Sequence, residues 1–403
     1  MQDFHISRLG LKGDGITDND RFIPFSLPGE AFSGRFENGV FTGTRITDSP
    51  ARKTPPCPHF GTCGGCALQH ATDDFLSDWK VETITRALQA QGLSAPFRSI
   101  ATSPPQSRRR ATFSARRTKK TTQIGFHKRG SSGIFPIEQC ALLKPEIMAA
   151  LPACHALAGF GASRKGEIKI SVTHSAAGPD ISVLEVKPLD GPLRAKLAAL
   201  ANEFGIARLG WNGEQIAERT RPVQLMGKAS VLPPSGAFLQ ATREGEAALV
   251  AAMQEAVGTA KRIADLFAGC GTFALPLASR AEVHAVEGEA DMLKALDTGW
   301  RFTQGLKTVT TEARDLFGRP LVPLELKHYD AVVIDPPRAG AKAQMEEIAA
   351  SSIGLVGAVS CNPVSFARDA KILTDAGFTL DWVQPVDQFR WSGHVELAAK
   401  FSR

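Results

Sequence analysis

The chain of 403 residues is predicted to be a multidomain α/β + β protein that ends in a doubly wound, Rossmann-like domain. Three observations support this. Beyond Gly236, short apolar strands alternate with helical patterns, which is typical of a mostly parallel sheet. Residues 1–50 hold short β-prone stretches between turn signals, and residues 51–235 combine a cysteine cluster with strand pairs. We therefore expect domains at 1–50, 51–235 and 236–403, because a chain of this length can bury several cores.

The first domain is predicted to be a small OB-like β barrel. Turn signals at 13–15, 28–30 and 38–39 separate about five short strands. Such barrels often hold nucleic acid, although any other small β barrel would fit the length equally well.

The second domain is predicted to begin with a proline-rich linker at 49–58. A helix follows, from a cap at Thr72 to about Gln91, with Gly92 as its stop. Further on, a hairpin is predicted with strands at 110–117 and 123–127.

Positive charge is concentrated around this hairpin. Between Arg108 and Arg129 the sequence has nine Lys or Arg residues and no acidic residue. A solvated basic face and a surface for a polyanion are both compatible with this run. Phe113 and Phe126 lie among these residues and are candidates for stacking on bases, although alternate Phe in a strand is more often core.

The third domain shows the alternation of a doubly wound sheet. A helix at about 244–256 leads into a strand at 262–266. Later strands are predicted at 283–286, 331–334 and 355–359.

Composition excludes several classes of protein. The chain is 43% hydrophobic and 22% charged, with a net charge of +6, and no stretch approaches the length of about 20 apolar residues that a membrane span needs. Residues 1–10 have no apolar signal core, so we expect a cytoplasmic protein. Seven cysteines in such a chain make disulfides an unfavoured interpretation.

A glycine-rich loop at 265–273 follows the first strand of the third domain. Gly269 and Gly271 allow the backbone to turn tightly and to approach a ligand. Glu287 ends the second strand and can accept hydrogen bonds from ribose hydroxyls, and Asp315 follows the third. The loop therefore predicts a nucleoside cofactor, either a dinucleotide or S-adenosylmethionine.

A second group of residues points to covalent chemistry. Asp335-Pro336-Pro337 closes the fourth strand, and with the loop it resembles S-adenosylmethionine methyltransferases. Cys361 follows the next strand and Glu396 lies near the C-terminus. A thiolate that adds to carbon 6 of uracil activates carbon 5, and a base must then remove the carbon 5 proton. Cys361 and Glu396 fit these roles, against the alternatives of a buried structural thiol and a surface carboxylate.

Four cysteines are candidates for metal binding. Three thiolates within ten residues of a Gly-rich loop can close around one metal centre, with a fourth thiolate from further along the chain; these are Cys57, Cys63, Cys66 and Cys140. By ligand type alone, zinc and an iron–sulfur cluster fit equally well.

The motifs together resemble the RNA uracil-5 methyltransferase family, in the iron–sulfur branch that modifies bacterial 23S ribosomal RNA. The resemblance covers nearly the whole chain and includes the motifs at 238–240, 265–273, 335–340, 360–363 and 394–396. The β module resembles the family's TRAM domain, notably at 27–30.

The resemblance implies a catalytic nucleophile at Cys361 and a general base at Glu396. It implies that the four cysteines hold a [4Fe–4S] cluster. It also implies a site for S-adenosylmethionine and uracil, for which the candidate residues, including the loop backbone, are Gln240, Phe267, Gly269, Gly271, Thr272, Glu287, Asp315 and Asp335. The family usually has Asn where this chain has Thr272, and Asn two residues after the glutamine, where it has Thr242.

The expected activity is therefore methylation of carbon 5 of a uridine in 23S ribosomal RNA, with the TRAM-like module and the basic hairpin holding the RNA. We expect a monomer that binds no membrane. One alternative is a transfer RNA substrate, although the resemblance implies that enzymes dedicated to transfer RNA lack the cysteine cluster. The other alternative is a non-catalytic, metal-bearing RNA-binding protein.

Overall fold

The computed structural model describes residues 2–119, 121–163 and 166–403. Lys120, one of the nine residues of the predicted basic run, lies outside the described residues. The N-terminal module is a five-stranded antiparallel sheet in the order β3-β2-β1-β4-β5. Its strands are β1 Gln2–Leu9, β2 Gly15–Thr17, β3 Phe22–Ile23, β4 Ala31–Glu37 and β5 Val40–Thr47.

This module differs from the predicted OB-like barrel in one respect. Its strand order is open, with β3 and β5 as the two edges among the described residues, so the sheet is a half-barrel. Its own core cluster is small and consists of Phe4, Ile6, Ile23 and Phe32, while Leu9 and Leu27 are buried against other parts of the chain. So few apolar side chains cover one face of a curved sheet and do not fill a closed barrel.

Next along the chain come α1 (Asp73–Gln89) and the short strand β6 (Ala101–Thr102), followed by the central sheet. The sheet contains β7 Arg110–Arg117, β8 Thr122–His127, β9 Ile134–Pro136, β10 Ile168–Ser175, β11 Gly178–Leu184, β12 Arg208–Trp211 and β13 Glu214–Glu218, in the order β13-β12-β11-β10-β7-β8-β9. The hairpin predicted from the sequence is present, with Ser114 opposite Gly125.

Three helices pack on this central sheet and share its core. They are α2 Pro145–Ala149, α3 Leu151–Gly161 and α4 Gly191–Glu203. A separate two-stranded hairpin, β14 Gln224–Met226 and β15 Ala229–Val231, then leads toward the third domain.

The C-terminal domain is the doubly wound domain that the sequence predicted. Its helices are α5 Arg243–Ala256, α6 Ala274–Leu277, α7 Ala290–Arg301, α8 Pro323–Leu326, α9 Lys342–Ala350 and α10 Pro363–Asp375. Its strands are β16 Arg262–Leu266, β17 Glu282–Glu287, β18 Val309–Ala313, β19 Ala331–Ile334, β20 Leu355–Ser360, β21 Thr379–Asp387 and β22 Glu396–Ser402.

The sheet order is β18-β17-β16-β19-β20-β22-β21-β6, with β16 to β20 parallel and β22 antiparallel to both of its neighbours. The order reverses between β16 and β19. In open α/β sheets, ligands bind in the crevice at the carboxyl ends of the strands beside such a reversal.

The segment at 73–102 packs on the C-terminal sheet. Ile84 and Leu88 of α1 are buried in the same core as α10, and Ala101 of β6 pairs with Val386 of β21. The domain boundaries at residues 50 and 235 stay a prediction. In the structure, part of the segment 51–235 contributes the edge strand β6 to the C-terminal sheet. Among the described residues, no helix is both long and apolar enough to cross a membrane.

Candidate functional site

Two loops at the carboxyl ends of β19 and β20 are joined by hydrogen bonds. Asn362 caps α10 by accepting from the Val364 N–H at 3.2 Å. Its side-chain amide donates to the carbonyl of Arg338 at 2.9 Å, and the Ser365 hydroxyl donates to the same carbonyl at 3.0 Å. The loop at 360–363 and the loop at 335–340 are therefore held side by side, with Cys361 in the first of them.

The strand register places the two predicted catalytic residues close to each other. Ser360, the last residue of β20, pairs with Leu397 of the antiparallel strand β22. The next residue along β20 is Cys361, and the preceding residue along β22 is Glu396. Antiparallel pairing therefore brings Cys361 and Glu396 to neighbouring strand ends, close enough for the charge of Glu396 to act on the thiol, as the sequence could not show.

The Cys361 thiol is partly exposed. Burial raises its pKa to about 11, with further contributions from the negative charges of Glu396 and Asp335, while the exposed cation of Arg338 opposes the rise. The thiol is therefore neutral near pH 7. It must lose its proton, which is accessible to solvent, before its sulfur can act as a nucleophile.

Glu396 is buried, with 4% of its surface exposed, so the alternative of a surface carboxylate is wrong. Burial raises its pKa to about 8, and the neighbouring Asp335 adds to the rise; a hydrogen bond from Gln388 and the Arg110 cation oppose it. A carboxyl group that titrates near neutral pH is suited to accept a proton in a reaction.

A chain of side-chain amides connects this carboxyl group to the cofactor side of the crevice. Gln388 donates from Nε2 to Oε2 of Glu396 and, at 2.5 Å, to Oε1 of Gln240. Gln240 in turn donates from Nε2 to Oδ2 of Asp335 at 3.3 Å. Gln240 was predicted as a site residue and is buried beside the other predicted residues. Gln388 was missed, because an isolated glutamine carries no recognisable motif.

Asp335 lies on the border of the two halves of the site. Burial raises the pKa of its carboxyl group to about 7, so it is partly ionised near neutral pH. Its position after β19 is at the topological switch of the sheet.

The glycine-rich loop adopts the tight geometry that its sequence predicts. Phe267, Gly269 and Gly271 have φ values of 61°, 54° and 94°, in the left-handed region that favours glycine. The Gly269 N–H donates to Oε2 of Glu287 at 3.0 Å, and the Glu289 N–H donates to Oε1 at 3.1 Å. Glu287 is thus fixed at the end of β17 beside the loop.

The other predicted cofactor residues divide into two groups. The Asp315 side chain is exposed and accepts the Phe317 N–H at 3.0 Å, and the Phe317 ring lies 5.4 Å from that of Phe267. These groups form one wall of the crevice. Thr272 instead lines a cavity with residues of α5 and α6, including Ala247 and Pro276. Its contact with a cofactor stays a prediction.

Asp265 is a further candidate site residue. In the sequence it marks only the beginning of the glycine-rich loop. It is fully buried, and neither carboxylate oxygen has a hydrogen-bond partner among the described residues. Burial and the nearby Asp335 hold its pKa well above the usual range, although the backbone of Ala274 opposes the rise. Burial and the neighbouring Asp335 therefore favour the uncharged form of Asp265, and a cation bound nearby would oppose that effect.

The four candidate metal ligands face one cavity of about 390 Å³, together with His59, Arg108 and Arg110. Burial raises the pKa of the thiols of Cys63, Cys66 and Cys140, and for each of them the other cysteines contribute to the rise. Within the described ranges, however, no three His, Cys, Asp or Glu side chains converge closely enough to hold a metal ion. The donor chemistry fits a metal centre, and its assembly stays a prediction.

The predicted basic surface is only partly at the surface. Arg109 is 1% exposed, and it binds Glu246 and the carbonyl of Gln240. Arg117, Lys119 and Lys128 are exposed. The basic run therefore supplies both interior cations near the site and an exposed face on the β7–β8 hairpin.

Of the two aromatic residues of this hairpin, Phe113 offers no stacking surface, whereas Phe126 is partly exposed and lines the cysteine cavity. The Phe113 side chain is fully buried, and its ring lies 5.4 Å from that of Phe126. Phe113 therefore belongs to the core of the central sheet, as the alternative interpretation held.

No family model matches the chain, but curated relatives match it over nearly its whole length. A protein of Rhizobium meliloti (strain 1021) is 44% identical over 409 residues, covering 99% of this chain and 98% of the relative. A protein of Caulobacter vibrioides is 42% identical over 416 residues and covers 100% of both chains. Both relatives are named uncharacterized RNA methyltransferases.

Among solved structures, the chain resembles the tRNA (uracil-54, C5)-methyltransferase of Pyrococcus abyssi in complex with S-adenosyl-L-homocysteine. The TM-score is 0.78 with 21% identity, and 99% of each chain is covered. At this identity, the likeness establishes a shared fold. The identity to the curated relatives, in contrast, shows that this chain belongs to the RNA methyltransferase family, and its motifs within that family resemble those of the RNA uracil-5 methyltransferases.

Proposed function

We propose that this enzyme transfers a methyl group from S-adenosylmethionine to carbon 5 of a uridine in 23S ribosomal RNA, in the cytoplasm. The observation that carries the proposal is the pairing of β20 with β22, which brings Cys361, just after β20, and Glu396, at the start of β22, to neighbouring strand ends. Carbon 5 of uracil is a weak nucleophile. A thiol can activate it by adding to carbon 6, and a base on the adjacent strand can then remove the carbon 5 proton.

The Cys361 thiol first loses its proton to solvent, and its sulfur then forms a bond to carbon 6 of the uracil ring. The electron pair of the carbon 5–carbon 6 double bond moves toward the ring carbonyl at carbon 4, which makes carbon 5 nucleophilic. S-adenosylmethionine supplies the methyl group that carbon 5 acquires, and it leaves as S-adenosylhomocysteine.

Glu396 completes the sequence. Its ionised carboxylate takes the proton from carbon 5, the released electron pair restores the carbon 5–carbon 6 double bond, and the bond from carbon 6 to sulfur breaks. The thiolate of Cys361 is regenerated. Because Glu396 is buried, the carboxylate is shielded from water while it accepts this proton.

The proposed cofactor site is the crevice between the glycine-rich loop and the 335–340 loop. Glu287 is positioned by the loop backbone to bind ribose hydroxyls, and Phe267 and Asp315 stand beside it. Asp335, which is partly ionised near neutral pH, gives this part of the crevice a negative character, which favours a cofactor that carries a sulfonium and an ammonium group.

The RNA assignment rests on charge and on family membership. The exposed cations of the β7–β8 hairpin suit a phosphate backbone. The target uridine must be unstacked before its ring can reach Cys361. The β module next to the hairpin is proposed to contact the same RNA, since Arg129 of the hairpin binds Asp14 of that module.

The cysteine cavity is proposed to hold a [4Fe–4S] cluster, because four thiols share it. The proposed reaction uses no electrons, so it does not need the cluster for redox chemistry. The role of the cluster would be structural. Protein purified without oxygen should absorb visible light, and replacement of Cys63 by Ser should remove that absorption. Colourless protein that contains zinc would contradict the cluster.

The proposed reaction is tested with the Cys361→Ala variant. We expect it to lose methyl transfer while it keeps its affinity for RNA, since the thiol is the nucleophile but only a small part of the surface. Full activity in this variant would refute the covalent mechanism.

The substrate is tested by mapping 5-methyluridine in ribosomal and transfer RNA from a strain that lacks the gene. Loss of one 5-methyluridine from 23S ribosomal RNA is expected. Transfer RNA is the second candidate, because the structurally similar Pyrococcus abyssi enzyme is named for it. Loss from transfer RNA alone would establish that candidate in place of the first.

A further inference from the structure

Gln388 makes three side-chain hydrogen bonds within the site and has no assigned role. It lies one residue beyond β21, and 2% of its surface is exposed. Both hydrogens of its amide nitrogen are used, one by Glu396 and one by Gln240. Its oxygen accepts the backbone N–H of Thr242 at 3.3 Å.

These contacts fix the orientation of the amide. If the Gln388 amide were reversed, its oxygen would face the Glu396 carboxylate and its nitrogen would face the N–H of Thr242. The orientation of Gln240 follows, because its oxygen must face the Gln388 nitrogen, which leaves its own nitrogen to donate to Asp335. One residue thus orders the polar groups of both halves of the site.

The packing around Gln388 is built to hold it there. At Gly245 of α5, a β-carbon would lie 2.8 Å from Cβ of Gln388 and 3.0 Å from its Oε1, so only glycine leaves room. On the other side, the preceding residue Asp387 is bound by the buried Lys80 at 2.6 Å.

We propose that Gln388 is a positioning residue for the general base. It holds Oε2 of Glu396 and thereby leaves Oε1 to receive the carbon 5 proton. This rests on the proposed function, because it assigns a role within that reaction. Thr242 stands where the family usually has Asn, and its backbone N–H is one of the three groups that Gln388 binds.

The charged and titratable groups that face Glu396 come from four elements. Asp335 follows β19, Cys361 follows β20, Asp387 ends β21, and Arg110 begins β7. Of these, only Arg110 favours the ionised carboxylate. Gln388 is the other group that lowers the pKa of Glu396, so its removal should raise that pKa and move the pH dependence of turnover to higher pH.

The test compares the wild-type enzyme with Gln388→Met, which keeps the length of the side chain and removes its hydrogen bonds. Single-turnover methyl transfer is measured over a pH series, and covalent trapping is measured with the substrate RNA carrying 5-fluorouridine at the target. The base cannot remove fluorine from carbon 5, so trapping reports on Cys361 without the step performed by Glu396.

We expect Gln388→Met to trap RNA as the wild type does, to turn over about 10- to 100-fold more slowly, and to need higher pH. The isosteric Gln388→Glu should show a larger alkaline shift, since it adds a like charge, and it provides the test if Gln388→Met does not fold. Gln344 is a matched control, because it is buried and makes two hydrogen bonds to Leu321 away from the site.

The outcomes separate the two proposals. Turnover and a pH profile equal to the wild type in both Gln388 variants would overturn the role of Gln388. The role would also be overturned if trapping and turnover fell together and the pH profile did not shift, because that is the pattern of a purely structural residue. Any effect of Gln344→Met should follow this second pattern. Failure of the wild type to methylate or to trap RNA would instead refute the proposed function.

Discussion

At the scale of the residue, the site is defined by buried carboxyl groups. Asp265, Asp335 and Glu396 all have a pKa raised by burial, and Asp335 raises the pKa of the other two. Grouping acids in this way is unfavourable without a cation. A positively charged cofactor in the crevice would relieve the repulsion, so cofactor binding and ionisation of the acids should favour one another.

This arrangement predicts the pH dependence of the reaction. Glu396 must be ionised to accept a proton, and its pKa is raised to about 8, so the rate should increase with pH up to about that value. The Cys361 thiol, with a pKa raised to about 11, adds to the increase in the same direction. Single-turnover rates across a pH series provide the measurement. A rate that falls as the pH rises from 6 to 8, about one unit on either side of neutrality, would contradict both roles.

The sequence predicts residue types where a proposed chemistry requires them. Cys361 and Glu396 were predicted because a thiol and a carboxylate at strand ends suit one mechanism. Gln388 was not, because an amide becomes informative only when its partners are known. Asp265 had a detectable signal, since an acidic residue ending an apolar strand is unusual, but the lack of a partner for it is a property of the packing.

At the scale of the element, strands with continuous apolar runs were predicted accurately. The predicted strands at 262–266 and 331–334 match β16 and β19 to the residue, because a strand buried on both faces has a clear apolar pattern. Short strands lack that pattern: β6 has two residues and is defined only by its pairing with β21. The β5 strand, exposed along most of its length, closes no barrel.

The basic hairpin shows why composition is not enough to define a surface. Along β7 the alternate buried positions are Ala111, Phe113 and Ala115, so none of the arginines of the strand occupies a buried position. Arg109 just before the strand lies inside and binds Glu246, while Arg117 at its end is exposed. The exposed half alone is available to an RNA backbone.

At the scale of the whole molecule, the helix α1 joins the parts of the chain. Its buried Lys80 binds Asp387 at the end of β21 at 2.6 Å and also donates to the carbonyl of Phe389 at 3.2 Å. Arg390 from the same turn binds Asp73 at the start of α1. These contacts fasten the turn that carries Gln388 to a helix about 300 residues earlier in the chain.

Replacing Lys80 by Met should therefore destabilise the whole molecule. The change leaves Asp387 buried without its cation, which typically costs about 3–5 kcal/mol, and denaturant unfolding measures the loss. A second change, Asp387→Leu, added to Lys80→Met should recover part of it, because the unpaired charge is then removed.

A matched control lies on the same helix. Arg86 binds Glu82 on the exposed face of α1, and Arg86→Met should cost less than about 0.5 kcal/mol, as is usual for exposed pairs. Equal losses for Arg86→Met and Lys80→Met would show that the buried ion pair has no special part in joining α1 to the sheet.

The sequence by itself determined the doubly wound domain and the glycine-rich loop, and it supplied Cys361 and Glu396 as candidates for the nucleophile and the base, because local apolar patterns and the demands of the chemistry both act on single residues. Tertiary structure alone decided that Cys361 and Glu396 lie at neighbouring strand ends, that Gln388 binds both Glu396 and Gln240, and that α1 packs on the C-terminal sheet. These features depend on pairing between segments far apart in the chain. Burial, which sets each pKa in the site, exists only after those segments have packed.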